Sequence, residues 1–215
     1  MAKYVNGMFP FTGGKSVVLT LYEKTICSDK DLKMDFKVAN YCDFERISQL
    51  HANSLKSHYG GILSEQYLTH EVSAEKLLLW QTRLTNPPFS QHIVLAEEGG
   101  LLLGFICAFG NHDFELGTFI DSLYVDDAFQ NRGIGSKLLK EIAQWQQHYF
   151  SDRGLYLQVS ESNTEAIAFY LHIGGRVAES RQREDLSGEI VVEKVMTWQN
   201  AQALLDGLEL ALVHG

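Results

Sequence analysis

The stretch that most constrains the fold is Gln130-Asn131-Arg132-Gly133-Ile134-Gly135-Ser136, a glycine-bearing turn between a strand pattern and a helix pattern. Residues 117–125 before it read as a strand. After it, Ile134, Leu138, Ile142, Trp145 and Tyr149 mark one stripe of a helix over 134–149. The first N–H groups of a helix have no intrahelical partner and carry partial positive charge. A helix that opens this way is a pyrophosphate site. Gly133 and Gly135 let an anion approach the backbone with no Cβ in the way. Arg132 adds charge, and the Ser136 hydroxyl adds a hydrogen bond. Two glycines at a helix start are weak evidence alone, but the flanking strand and helix supply the context such a motif requires.

The rest of the chain alternates between the two periods. Strand patterns fall at 35–39, 91–97, 101–109, 155–159, 176–182 and 190–197. Helix patterns fall at 42–57, 73–84, 164–173 and in a tail over 199–212. Asp43 is a candidate cap for the first helix, and Ile47, Leu50 and Ser54 share its inner face. Asn86-Pro87-Pro88 ends the second helix, because proline cannot continue one. Glu98-Gly99-Gly100 is hairpin chemistry. Loops are expected at 57–62, 110–116 and 184–189. The order predicts an α/β (α+β) fold, a mixed sheet with helices on its faces. Residues 1–33 read as an extension with one strand-like run at 17–22, residues 34–198 as the compact domain, and 199–215 as a helical tail.

Composition narrows the function. The net charge of -9 argues against a phosphate-backbone interface, so no nucleic acid is expected, and it accommodates a cationic acceptor. No apolar run approaches the ~20 residues needed to cross a bilayer, so no membrane is expected. Cys27, Cys42 and Cys107 are widely spaced and form no CxxC pair. Reduced thiols and a cytoplasmic setting follow. The eight histidines show no paired ligand spacing, so no metal is expected. Gly13-Gly14-Lys15-Ser16 imitates the end of a P-loop, but Phe9 stands where its first glycine belongs.

With these motifs in place, the chain resembles the GNAT superfamily of acyl-CoA N-acyltransferases. Gln130, Gly133 and Gly135 match every fixed position of that family's Q/R-x-x-G-x-G/A signature, and Leu123-Tyr124-Val125 matches its "LYV" strand end. Residues 163–174 resemble its N-x-x-A-x-x-F-Y-x-x-x-G segment. The resemblance covers 34–198 and implies a mostly antiparallel sheet. It also implies acetyl-CoA as acyl donor, with a strand splayed from its neighbour so that the backbone around Leu123, Tyr124 and Val125 holds the pantetheine arm. Gln130, Asn131, Arg132, Gly133, Ile134, Gly135, Ser136 and Asn163 complete the implied coenzyme contacts. Gly175 departs from the family pattern, which has Phe there, and looser packing behind Tyr170 is expected.

Acyl transfer to an amine needs a route for the amine's proton, a donor for the oxyanion and an acid for the leaving thiolate. The resemblance assigns the acid to Tyr170. A plain core role is the alternative, since Phe169, Tyr170 and Ile173 also make one apolar helix face. Asn163 doubles as a helix cap candidate, as does Ser162 with Glu165. Family members often carry Glu where this chain has Phe119. Asp121 is the candidate base, read as sharing a strand face with Leu123 and Val125. His112, Asp113 and Glu115 are reserves. The expected function is N-acetylation of a primary amine of a small molecule, protein or peptide. The alternative is a non-catalytic acyl-CoA-binding module. The acceptor has no code in the loops, and a homodimer is an open alternative.

Overall fold

The computed structural model describes residues 33–60, 63–184 and 190–214. Residues 1–32 of the N-terminal extension, including 17–22 and the P-loop-like stretch, lie outside the described residues. So do residues 61–62 and 185–189 of the expected loops at 57–62 and 184–189.

A seven-stranded sheet organises the rest. Its strands are β1 (Asp35–Val38), β2 (Gln91–Glu98), β3 (Leu101–Asp113), β4 (Gly117–Val125), β5 (Leu155–Ser160), β6 (Arg176–Glu184) and β7 (Ile190–Trp198). They lie in the order β1-β2-β3-β4-β5-β7-β6. Only β4 and β5 pair in parallel; every other neighbouring pair is antiparallel. The expected mixed, mostly antiparallel sheet is therefore present.

Helices cover both faces. On one side, Ile134, Leu138, Leu139 and Ile142 of α3 (Ile134–Tyr149) meet Val94, Ile106, Ile120 and Leu157 of the sheet. Tyr170 and Ile173 at α4 (Thr164–His172), and Leu204 and Leu208 of α5 (Ala201–His214), complete that layer. On the other side, Ile47 and Leu50 of α1 (Phe44–His58) and Trp80 and Leu84 of α2 (Val72–Thr85) pack on Ile93, Leu95, Phe105 and Cys107. Burial of each such large side chain contributes ~1.5–3 kcal/mol.

Three local expectations are corrected. Asp43 does not cap α1 with its side chain. It is buried, accepts the backbone N–H of Asn40 at 2.8 Å and pairs with Arg46, so an ion pair uses the carboxylate first. The loop expected at 110–116 is mostly strand: β3 runs to Asp113, whose carboxylate accepts the N–H groups of Glu115 and Leu116 at 2.8 Å each and so closes a shorter turn. Asp121 does not share a face with Leu123 and Val125. Ile120 pairs with Ala108 and Ser122 with Cys107, so Asp121 is the extra residue of a bulge. A bulge reverses the alternation. Leu123 and Val125 pack with the α3 layer, while Asp121 reaches Arg83 on α2.

Candidate active site

The parallel pairing of β4 with β5 stops early. It joins Thr118 to Leu155, Phe119 to Tyr156 and Ile120 to Leu157 and goes no further, although β4 continues to Val125 and β5 to Ser160. Beyond that point β4 still pairs with β3, and β5 with β7. The edges that face each other across the wedge keep free backbone groups, which a ligand can bond. A groove of about 860 Å³ follows this wedge, lined by Leu123, Tyr124, Val125, Gln158 and Val159 among others.

One end of the groove is the start of α3. Gly133 occupies the N-cap with φ of 69°, a left-handed conformation open to glycine at little cost, and it has no side chain to cap the helix. A Cβ placed on Gly133 or Gly135 would meet nothing within 4 Å, so the space above these amides is open. Asn131 is also left-handed, at φ 61°. Gln130, Asn131, Gly133, Gly135 and Ser136 line the groove. Ile134 does so too, while its side chain packs into the core. The Gln130 amide donates to Asp127 at 2.9 Å, and Asp127 meets His58 Nε2 at 2.7 Å, which ties the turn to α1. Arg132 points elsewhere: it grips Glu98 through hydrogen bonds of 2.8–3.2 Å and stacks on Phe129.

Tyr170 also lines the groove, with its ring edge-on to Trp198, centroids 6.1 Å apart. Burial, with a smaller contribution from nearby Tyr59, pushes the Tyr170 phenol up to about 12. The hydroxyl therefore holds its proton throughout the neutral range, as an acid requires. Asn163 caps α4, accepting the N–H of Ala166 at 3.1 Å, and also lines the groove. The cap thus falls to Asn163 rather than Ser162, whose Oγ meets Ser160 Oγ at 2.8 Å. Packing behind Tyr170 is not loose. A Cβ on Gly175 would come within 2.7 Å of the Tyr170 carbonyl and 2.8 Å of the Trp198 ring, so the indole fills the space left by the missing side chain.

Asp121 lines the groove but is fully engaged. It accepts from Arg83 at 2.6 and 3.0 Å and from Ser122 Oγ at 2.6 Å. Burial favours the neutral acid, yet the Arg83 and Ser122 hydrogen bonds and the Arg83 charge outweigh it and hold the carboxyl below its usual range. That lowers its strength as a base. Two of the three reserve residues are also engaged: His112 Nδ1 meets the Tyr156 hydroxyl at 2.5 Å, and Asp113 closes its turn. Phe119 stacks on Tyr156, centroids 4.9 Å apart.

Several groove residues had no local sequence signal. His51 of α1 is buried, accepts the Trp80 indole N–H on Nδ1 at 3.1 Å and lies 4.4 Å from the Tyr124 ring. Burial, then the charge of Lys76, lowers its pKa to about 3, so it is neutral. Tyr59, Tyr67 and Lys76 line the same region. The contacts of Trp80 with His51 and of Arg83 with Asp121 bridge 29 and 38 residues of sequence. Only the three-residue spacing that puts Trp80 and Arg83 on one helix face was visible beforehand.

Fold and site together set an open helix start and a wedge between two strands along one groove. The chain belongs to the acetyltransferase (GNAT) family, whose model matches residues 53–174. It is 29% identical over 77 residues to the spermine/spermidine N(1)-acetyltransferase of Bacillus subtilis, a match covering 36% of this chain and 49% of that protein. It is 35% identical over 98 residues to the N-alpha-acetyltransferase RimI of Mycobacterium tuberculosis, covering 43% of this chain and 56% of that one. The chain thus spans about half the length of the curated relatives it matches. The fold is similar to that of yncA from Salmonella typhimurium, solved with its cofactor acetyl-CoA: TM-score 0.57 and 17% identity, over 78% of this chain and 94% of that one. Among the described residues no group of three or more His, Cys, Asp or Glu side chains could hold a metal ion. No described helix is long and apolar enough to cross a membrane.

Proposed function

We propose that this protein is an N-acetyltransferase that moves an acetyl group from acetyl-CoA to a primary amine. The observation that carries the reading is the alignment of three features along one groove: open amides at Gly133 and Gly135, the β4–β5 wedge, and the protonated Tyr170 hydroxyl. The pyrophosphate sits on the helix start, where backbone N–H groups and the helix dipole both favour it. The pantetheine arm bonds the free edges of β4 and β5, as an added strand would. That places the thioester near Tyr170. The amine attacks the thioester carbonyl, and Tyr170 donates its proton to the departing thiolate.

The family membership and the acetyl-CoA complex of yncA support the donor. The two curated relatives, named for spermine/spermidine N(1)-acetylation and for N-alpha-acetylation, support an amine acceptor without choosing between the kinds. The test is thiol release from acetyl-CoA with a panel of polyamines, amino acids and peptides. Release that depends on one class of amine supports the reading. Binding of acetyl-CoA with no release from any amine would leave a binding module instead.

A further inference from the structure

Most of the titratable side chains that line the groove are already committed to partners. Asp121 is held by Arg83 and Ser122. Glu193 Oε1 accepts two hydrogen bonds from Arg183 at 3.0 and 3.1 Å. His51 receives the Trp80 N–H on Nδ1, so its neutral ring carries its proton on Nε2 and has no lone pair left to offer. His58 is about two helical turns further along α1, tied to Asp127 beside the phosphate turn. Phe119 supplies no carboxylate.

One pair in the groove has a different form. Tyr67 stands on the short π turn Tyr67–Glu71 that leads into α2. It lines the groove and donates its hydroxyl to Glu75 Oε2 at 2.5 Å. Because that proton points away to Glu75, the oxygen keeps its lone pairs for a donor in the groove. Glu75 is 42% exposed, so it is in exchange with solvent, and Lys76 Nζ sits 2.8 Å from its other oxygen. Tyr59, Tyr67 and Tyr170 all lie close enough to the Tyr124 hydroxyl to raise its pKa, with burial the larger cause. Tyr67, Tyr124 and Tyr170 all line the same groove.

We propose that Tyr67 takes the acceptor amine's proton and passes its own to Glu75, which releases it to solvent. The inference rests on the acetyltransferase reading above. As the amine nitrogen bonds the thioester carbon, the nitrogen becomes acidic and a weak base suffices. The C–N bond forms and the C–S bond breaks. The nitrogen's proton goes to the Tyr67 oxygen while the Tyr67 proton goes to Glu75. The thiolate takes the Tyr170 proton, and solvent returns one proton to Tyr170 as Glu75 loses one, so the site is restored. Burial raises the Glu75 carboxyl, but the Lys76 and Tyr67 hydrogen bonds outweigh it and hold the group below its usual range. Glu75 therefore holds the proton only in passing and, unlike the two-fold-clamped Asp121, gives it up to the solvent it faces. Tyr67 is the catalytic residue of the pair and Glu75 the positioning residue.

The test compares Tyr67→Phe, Glu75→Gln and Glu75→Asp with wild type in the thiol-release assay, on the amine that wild type uses best. Glu75→Gln is the decisive variant, because its amide oxygen still accepts from Tyr67 but cannot take a proton. We expect kcat to fall about 10–100-fold in Tyr67→Phe and Glu75→Gln, near the lower range for general-base catalysis. The acetyl-CoA Kd by calorimetry and the acceptor KM should stay within twofold, and Glu75→Asp should regain part of kcat. The double variant should be no slower than the worse single one, since both act on one step. Wild-type kcat in Glu75→Gln overturns the proposal while the acetyltransferase reading stands. No thiol release by wild type with any amine overturns both.

Discussion

Arg83 and Asp121, 38 residues apart in sequence, meet through two hydrogen bonds of 2.6 and 3.0 Å. Arg83 also lies 5.1 Å from the Trp80 ring centroid and 5.3 Å from that of Phe109. The pair fastens α2 to β4 at the bulge. Both side chains are about one-fifth exposed, so solvent screens the interaction only in part. Asp121→Asn should therefore cost stability, by about 2 kcal/mol as expected for charged hydrogen bonds, and leave acetyl-CoA affinity unchanged. Urea unfolding and calorimetry measure the two effects. The folded carboxyl lies below its unfolded value. Its stabilisation is thus present above the ordinary carboxylate range and lost as pH falls through the lower, folded value. Wild type should lose melting temperature more steeply than Asp121→Asn on acidification below pH ~4.

Gly135→Asp separates anion binding from folding. The added Cβ meets no atom within 4 Å, and an acidic side chain in the first turn favours the helix dipole. The variant should fold as well as wild type. Its carboxylate would occupy the space above the free amides and repel pyrophosphate. Acetyl-CoA affinity should drop at least about tenfold, the effect of ~1.4 kcal/mol. Calorimetric titration reads it, and an unchanged Kd would move the phosphate site away from the start of α3.

How much was legible beforehand followed the range of each interaction. The Gln130–Ser136 turn and the Asn163–Gly174 segment are local, so their spacing survived unchanged into α3 and α4. β4 was placed to the residue because Gly117 and the turn bound it on both sides. The face of Asp121 was misread because a bulge depends on the pairing partner: nothing within 117–125 announces that Ile120 meets Ala108 while Ser122 meets Cys107. The site's α1–α2 wall was missed for the same reason. His51, Tyr59, Tyr67 and Lys76 look like ordinary helix and loop residues until tertiary contact brings them to the groove.

Tyr170→Phe removes one oxygen and keeps the ring against Trp198. If the phenol supplies the proton to the thiolate, kcat should fall by about 100-fold. Acetyl-CoA affinity should change little, since the pyrophosphate end is untouched. The pH profile gives a second readout. With a pKa of about 12 the hydroxyl stays protonated across the neutral range. Loss of Tyr170 should thus scale the whole profile down without moving its limbs below pH ~10. A rate within twofold of wild type would reduce Tyr170 to packing.

Gly175 gives the sharpest structural prediction. Its neighbours leave no room for a methyl group. The Tyr170 carbonyl would lie 2.7 Å from the new Cβ, and the Trp198 ring atoms Cζ2 and Cε2 at 2.8 and 3.1 Å. The indole cannot simply swing aside, because its N–H donates to the Ile173 carbonyl at 3.0 Å and the residue is almost fully buried. The Tyr170 carbonyl is fixed as well, since it accepts the Gly175 N–H at 2.9 Å. Gly175→Ala should then cost about 1–3 kcal/mol, the usual range for overpacking. Restoring Phe, as the family pattern has it, should cost more than Ala while Trp198 is present. Paired with Trp198→Ala, which opens the space the ring now fills, Gly175→Phe should be less destabilising than the two single changes added together. Urea unfolding of the four proteins closes the cycle. Strict additivity would show that the two positions do not share one space.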